Sequence, residues 1–134
     1  MSQNPQILFP ALRYHDSHAA IEWLEDALGM ERGMVSQDSE GVVVHAELSI
    51  AGATVMLGSG SEGDDGRLER PTGSSSLYVA LDSVELVDEL FARATAAGAE
   101  VLRPVTDQPY GSHEFTVADP EGNSWSVGTY RPGR

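Results

Sequence analysis

The sequence predicts an α+β protein built from two tandem strand-helix-strand-strand-strand units. A helical spacing of apolar residues occurs twice, each time after one strand-like stretch and before three more. Each helical stretch closes on a glycine, Gly29 and Gly98. The halves repeat at roughly 65 residues, and between them lies SGSEGDDGRLERPTGSS, residues 59–75, whose Gly, Ser and Asp content marks a connecting loop. The first unit is expected over about residues 6–58 and the second over about 76–130, in a single domain of residues 1–134.

Taken in order, ILFPALRYHD alternates as a strand, with Pro10 suiting an edge or a bulge. SHAAIEWLEDALGM places Ala20, Ile21, Leu24, Ala27 and Leu28 on one helical face, with Asp16 or Ser17 as the cap. Strands follow over residues 32–37, 42–50 and 53–58. In the second half a strand over 76–81 precedes a helix over 83–97, with Val84, Val87, Leu90, Phe91 and Ala94 on one face. Three more strands are expected over 100–103, 112–118 and 124–130, separated by PVTDQPYG and the turn DPEGN, with a fraying tail after Tyr130. The halves align residue by residue: AELSI lies over HEFTV, so Glu47 matches Glu114, and counting from Gly52 and Gly122 matches Met56 with Ser126.

Strand alternation then sorts the side chains. With Ala51 and Gly52 as a two-residue turn, Glu47 stands opposite Met56. Val44, Ala46, Leu48, Ile50, Ala53, Val55 and Leu57 form one apolar face, leaving His45, Glu47, Ser49, Thr54 and Met56 on the other. In the second unit Phe115, Val117, Trp125 and Val127 are apolar, opposite Glu114, Thr116, Ser124 and Ser126. A polar face meets water or lines a cavity, and alternation alone leaves both open.

Composition narrows the function classes. A 40% hydrophobic content with 22% charged residues is that of a folded soluble chain. The absence of cysteine removes disulfides, thiolate metal sites and thiol nucleophiles. A net charge of −13 repels nucleic acid and anionic membranes and otherwise reads as a solvated acidic surface. With no signal peptide and no apolar run of spanning length, a cytoplasmic location is expected. His15 and His18 are expected to be exposed at the first helix start, and Trp23 and Trp125 to pack in the core or at an interface. His113 falls on the helix-covered face. No nucleophile elbow or phosphate loop is present.

LRYHDSHAAIEWLEDALGM at the start of the first unit and YGSHEFTVADPEGNSWSVGTY at the end of the second resemble the vicinal oxygen chelate superfamily. This is the glyoxalase, bleomycin resistance protein and dioxygenase group. The resemblance implies that each unit is a curved mixed sheet of four strands, that two units enclose a cavity, and that the helices lie outside. Metal-dependent members carry ligands at four positions, which fall here on Phe9, Met56, Ser76 and Ser126. None is an imidazole or carboxylate, so no metal cofactor is expected.

The bleomycin-resistance-like members then imply a metal-free homodimer that binds a small molecule in a groove. Its lining would include Phe9, Arg13, His45, Met56, Ser76, Tyr78, Tyr110 and Ser126 together with Glu47 and Glu114, a mix of apolar and orienting groups that suits a ligand pocket. Acidic lining favours a cationic or amine-bearing ligand. The alternative is a lyase- or isomerase-like enzyme of the same superfamily. In it Glu47 and Glu114 serve as acid-base groups, or as ligands of a displaced divalent metal.

Overall fold

The computed structural model describes residue 6, residues 8–59 and residues 72–133. The chain runs β1 (Ala11–Tyr14), α1 (Ser17–Leu28), β2 (Glu31–Gln37), β3 (Val43–Ile50), β4 (Ala53–Ser59), β5 (Ser76–Ala80), α2 (Val84–Ala96), β6 (Glu100–Asp107), β7 (His113–Ala118) and β8 (Ser124–Gly128). Most of the expected connecting loop, residues 60–71, lies outside the described residues, as does Ile7 of the expected first strand.

Each half forms its own four-stranded sheet, in the orders β1-β4-β3-β2 and β5-β8-β7-β6, and the two sheets do not close into a barrel. β1 and β5 pair in parallel with β4 and β8, and the other neighbours are antiparallel. The helix after the first strand makes the parallel pairing possible, because a parallel neighbour needs a crossover longer than a hairpin turn.

The helices form where capping and apolar spacing agree. The Asp16 carboxylate accepts the Ala19 N–H at 3.1 Å and starts α1. Gly29, at φ +67°, stops it, with the Gly29 and Met30 N–H groups returning to the Glu25 and Leu24 carbonyls at 3.1 Å each. Ala20, Ile21, Leu24, Ala27 and Leu28 are buried, as their spacing requires. On α2, capped by Ser83, Val87 and Ala94 are buried while Val84, in the first turn, is left exposed. α1 covers one face of the first sheet and α2 one face of the second, and the two helices pack on each other. The opposite face of each sheet carries no helix of its own module.

The β3-β4 hairpin has the expected register, with Glu47 opposite Met56 and Leu48 opposite Val55. β1 and β8 are shorter than expected, with Phe9 and Pro10 ahead of β1 and Tyr130 beyond β8, and two further strands differ in course. Val43 is 1% exposed while Val44 is 47% exposed, because the β2-β3 ladder slips one residue between the Ser36–His45 and Gln37–Val43 pairs and turns Val44 out as a bulge. β6 continues through Pro104 to Asp107, which is tolerated because β6 is an edge strand whose ladder is irregular on both sides of Arg103.

The DPEGN turn joins the halves. Asp119 is buried, and its carboxylate accepts five hydrogen bonds, from the Tyr14 hydroxyl (2.6 Å), the Asn123 amide (2.9 Å), the Trp125 indole (3.1 Å) and the Glu121 and Asn123 backbone N–H groups (3.0 Å each). Burial, and then the bond to this carboxylate, push the Tyr14 phenol far up from its ordinary value. Two residues on, the Glu121 carboxylate accepts the His15 and Asp16 N–H groups at 2.8 Å each, just before α1. A turn of the second half thus holds the first strand and first helix of the other.

Candidate functional site

The helix-free face of the second sheet carries a cavity of about 440 Å3. Its walls include Ser76 and Tyr78 of β5, Glu114 of β7, Ser126 of β8, and Tyr110 and Tyr130 from the flanking loops. These positions alternate with the core-facing Phe115, Val117, Trp125 and Val127, so the period of the strand delivers them to the open face.

Glu114 is the notable member, only 5% exposed. It has room because Gly128 stands opposite it in the ladder: a methyl group on Gly128 would lie 2.6 Å from Glu114 Cβ, 2.7 Å from Ser112 Oγ and 2.9 Å from the Tyr78 hydroxyl oxygen. The Glu114 carboxylate shares this wall with Tyr110 and lies 3.8 Å from the half-exposed Arg103 guanidinium, a loose pair. The Tyr78 hydroxyl donates to the Tyr130 carbonyl, and the Tyr130 N–H donates to Ser112 Oγ at 3.1 Å. The Tyr110 and Tyr130 rings meet edge to face, 5.8 Å apart at 80°. Both Tyr78 and Tyr110 are raised above the ordinary phenol value, by desolvation first, with the Glu114 charge adding to it. Ser126 Oγ and Thr116 Oγ1 bond each other at 2.7 Å on the same face.

The structure therefore brings Ser76, Tyr78, Tyr110, Glu114 and Ser126 together, and leaves the other expected residues on the first sheet. There His45 Nε2 and Glu47 Oε2 lie 2.9 Å apart, both partly exposed, beside Met56. Arg13 projects over Gly58, and Phe9 precedes β1. None of these five lines the 440 Å3 cavity.

The residue-by-residue alignment of the halves also shifts. Met56 pairs with Glu47, but Ser126 pairs with Thr116, so Thr116 holds the sheet position of Glu47 and Glu114 that of His45. The reason is the turn. The Asp119 N–H to Asn123 carbonyl bond continues the second ladder around a longer tip than Ala51 and Gly52 provide. A shift of two keeps every side chain on its face, so apart from the exposed Val44 and Ala53 the sorting into polar and apolar faces survives. Tyr130, Arg103, Ser112 and Gly128 were missed. Only Tyr130 had a signal, as the aromatic residue that ends the strand-like run.

The positions beside Met56 and Ser126 on the neighbouring strands are Ala11 and Tyr78, two residues beyond Phe9 and Ser76. With either choice the set offers a thioether, hydroxyls and hydrocarbon, which does not fit a hard divalent ion. Among the described residues, no group of three or more His, Asp or Glu is arranged to hold a metal.

The sequence profile of the Glyoxalase/Bleomycin resistance protein/Dioxygenase superfamily matches residues 6–127. The chain belongs to this superfamily. An uncharacterised protein of Mycobacterium bovis is 36% identical over 129 residues, covering 90% of this chain and 81% of the relative. Among solved superfamily-like structures, TioX from Micromonospora sp. ML1 superposes with a TM-score of 0.78 at 28% identity, over 94% of this chain and 99% of TioX. Lactoylglutathione lyase from Agrobacterium tumefaciens superposes with a TM-score of 0.70 at 24% identity, over 92% of each chain, and shows the shared superfamily fold alone. Among the described residues no helix is long and apolar enough to cross a membrane.

Proposed function

We propose that this superfamily member binds a small, amine-bearing molecule, without a metal, in the cavity of its second sheet. The observation that carries this reading is Glu114, a carboxylate held almost out of water at a wall where tyrosine rings and serine hydroxyls converge. Arg103 is too far and too exposed to neutralise it fully, and the net charge of −13 adds attraction for a cation. The carboxylate orients the amine while Leu77 and the tyrosine rings take the apolar body of the ligand. The protein is proposed to act as a cytoplasmic homodimer, which light scattering on purified material would test.

The deciding experiment is a melting screen against arylalkylamines such as benzylamine and phenethylamine, with the matching neutral alcohols as controls. A ligand that binds only the folded state raises stability by mass action, about 2.7 kcal/mol at a hundredfold excess over its Kd. The expected result is a saturable rise for amines only, lost in Glu114→Gln. Equal shifts for amines and alcohols, or none for either, would overturn it.

A second reading, an acid-base enzyme, draws support from the 2.9 Å contact between His45 and Glu47. A carboxylate there orients an imidazole that is free to move a proton through its other nitrogen. In that case Glu47→Gln loses turnover and keeps binding.

A further inference from the structure

His113 opens β7, directly before Glu114, and its ring points the other way. Its Nε2 lies 2.7 Å from Asp88 Oδ1 on α2, and its Nδ1 2.7 Å from Asp107 Oδ1 at the end of β6. These are lengths of charge-assisted hydrogen bonds. When the ring is protonated, each nitrogen donates to one of these carboxylate oxygens, so the geometry suits an imidazolium. A neutral imidazole has one N–H, and its bare nitrogen would face a carboxylate oxygen.

The charged groups that face the ring are Asp88 from α2 and Asp107 from β6. Glu114 on the same strand projects to the opposite face, and β8 is followed by the neutral Thr129, whose hydroxyl accepts the His113 backbone N–H at 3.1 Å. Asp107 and His113 are also ladder partners, closing the base of the loop over residues 108–112. Inside that loop the Gln108 N–H donates to the Ser112 carbonyl at 2.7 Å and the Gly111 N–H to the Gln108 carbonyl at 2.9 Å. Its tip carries Tyr110 to the cavity, against Tyr130 and Glu114.

We infer that His113 is a positioning residue: as an imidazolium it ties α2 and β6 to the base of the loop that holds Tyr110 over the cavity, and the loop is released when the ring gives up one proton. The direction of its titration agrees. The hydrogen bonds to Asp88 and then Asp107 raise it above the ordinary histidine value, so the release comes on the alkaline side of that value. The inference rests on the proposed binding site only for the meaning of Tyr110's position, and the loop itself is measured without any ligand.

The test follows three signals against pH in the same protein by nuclear magnetic resonance. They are the His113 ring proton, assigned by its loss in His113→Gln, the contact between the Tyr110 and Tyr130 rings, and the exchange protection of the Gln108 and Gly111 amides corrected for intrinsic rates. With two charged hydrogen bonds reduced to one, protection should fall roughly tenfold, and the ring contact should disappear, at the His113 midpoint. Asp88→Asn, an exposed change away from the cavity, should keep the fold and lower that midpoint together with the loop transition. Protection and ring contact that stay constant through the His113 midpoint, or a loop transition unmoved by Asp88→Asn, would overturn the inference. Failure of the binding proposal would register separately, as an amine screen without shifts.

Discussion

The two halves repeat one unit yet differ most at the hairpin tips. The first tip is a two-residue turn in which Ala51 takes φ +53°, a left-handed conformation that suits Asn or Gly better than Ala. The second is the Asp119–Asn123 turn, whose carboxylates reach into the other half. The open faces differ in parallel: the Glu47 side chain is 40% exposed beside His45, whereas that of Glu114 is 7% exposed. One half has spent its tip on a plain reversal of the chain. The other uses the same place to hold the two halves together, so two copies of one unit carry different work where the ladder ends.

Four changes probe that contrast, in descending order of effect. Asp119→Ala strands buried donors from both halves and should cost about 3 to 5 kcal/mol, read from denaturant unfolding. Gly128→Ala forces a methyl group onto Glu114, Ser112 and Tyr78 and should cost about 1 to 3 kcal/mol while abolishing amine-induced melting shifts. Gly58→Ala in the first half would meet the Val44 carbonyl at 2.6 Å instead, so it destabilises but leaves the cavity of the second half able to bind. Retained binding in both variants, or loss in both, would erase the distinction between the halves.

Ala51→Asn should stabilise by about 0.5 to 1 kcal/mol, because it relieves the left-handed alanine without touching the second half. The smallest effect is a pH dependence. The His113 titration is raised on folding, so its ion pairs stabilise fully below the ordinary histidine value and that stability is lost as pH rises through the folded one. The melting difference between the wild type and His113→Gln should therefore shrink as pH increases.

The element order was legible because helical spacing, caps and turn glycines agreed locally, and the sorting of faces was legible because alternation survives any two-residue shift. Val44 and the length of β6 were not, since a bulge leaves no local mark and an edge strand can accept Pro104. The DPEGN stretch could be recognised as a turn, but its partners, Tyr14 and the start of α1, are about a hundred positions away in sequence, beyond what any local pattern encodes. Half of the candidate site came out together for the same reason the rest did not. Alternation places side chains on a face, while the flanking loops that carry Tyr110 and Tyr130 wall only one of those faces into a cavity.

The Asp119 latch also bears on how the chain comes apart. A second half cut free would keep a buried carboxylate without the Tyr14 hydroxyl, and a freed first half would lose the Glu121 acceptor at its helix start. Each fragment inherits polar groups that only the other could satisfy. The halves are therefore expected to unfold in a single cooperative transition, which coincident loss of native Trp23 and Trp125 fluorescence at one midpoint would check. Two repeated units are here tied by bonds that neither could make alone.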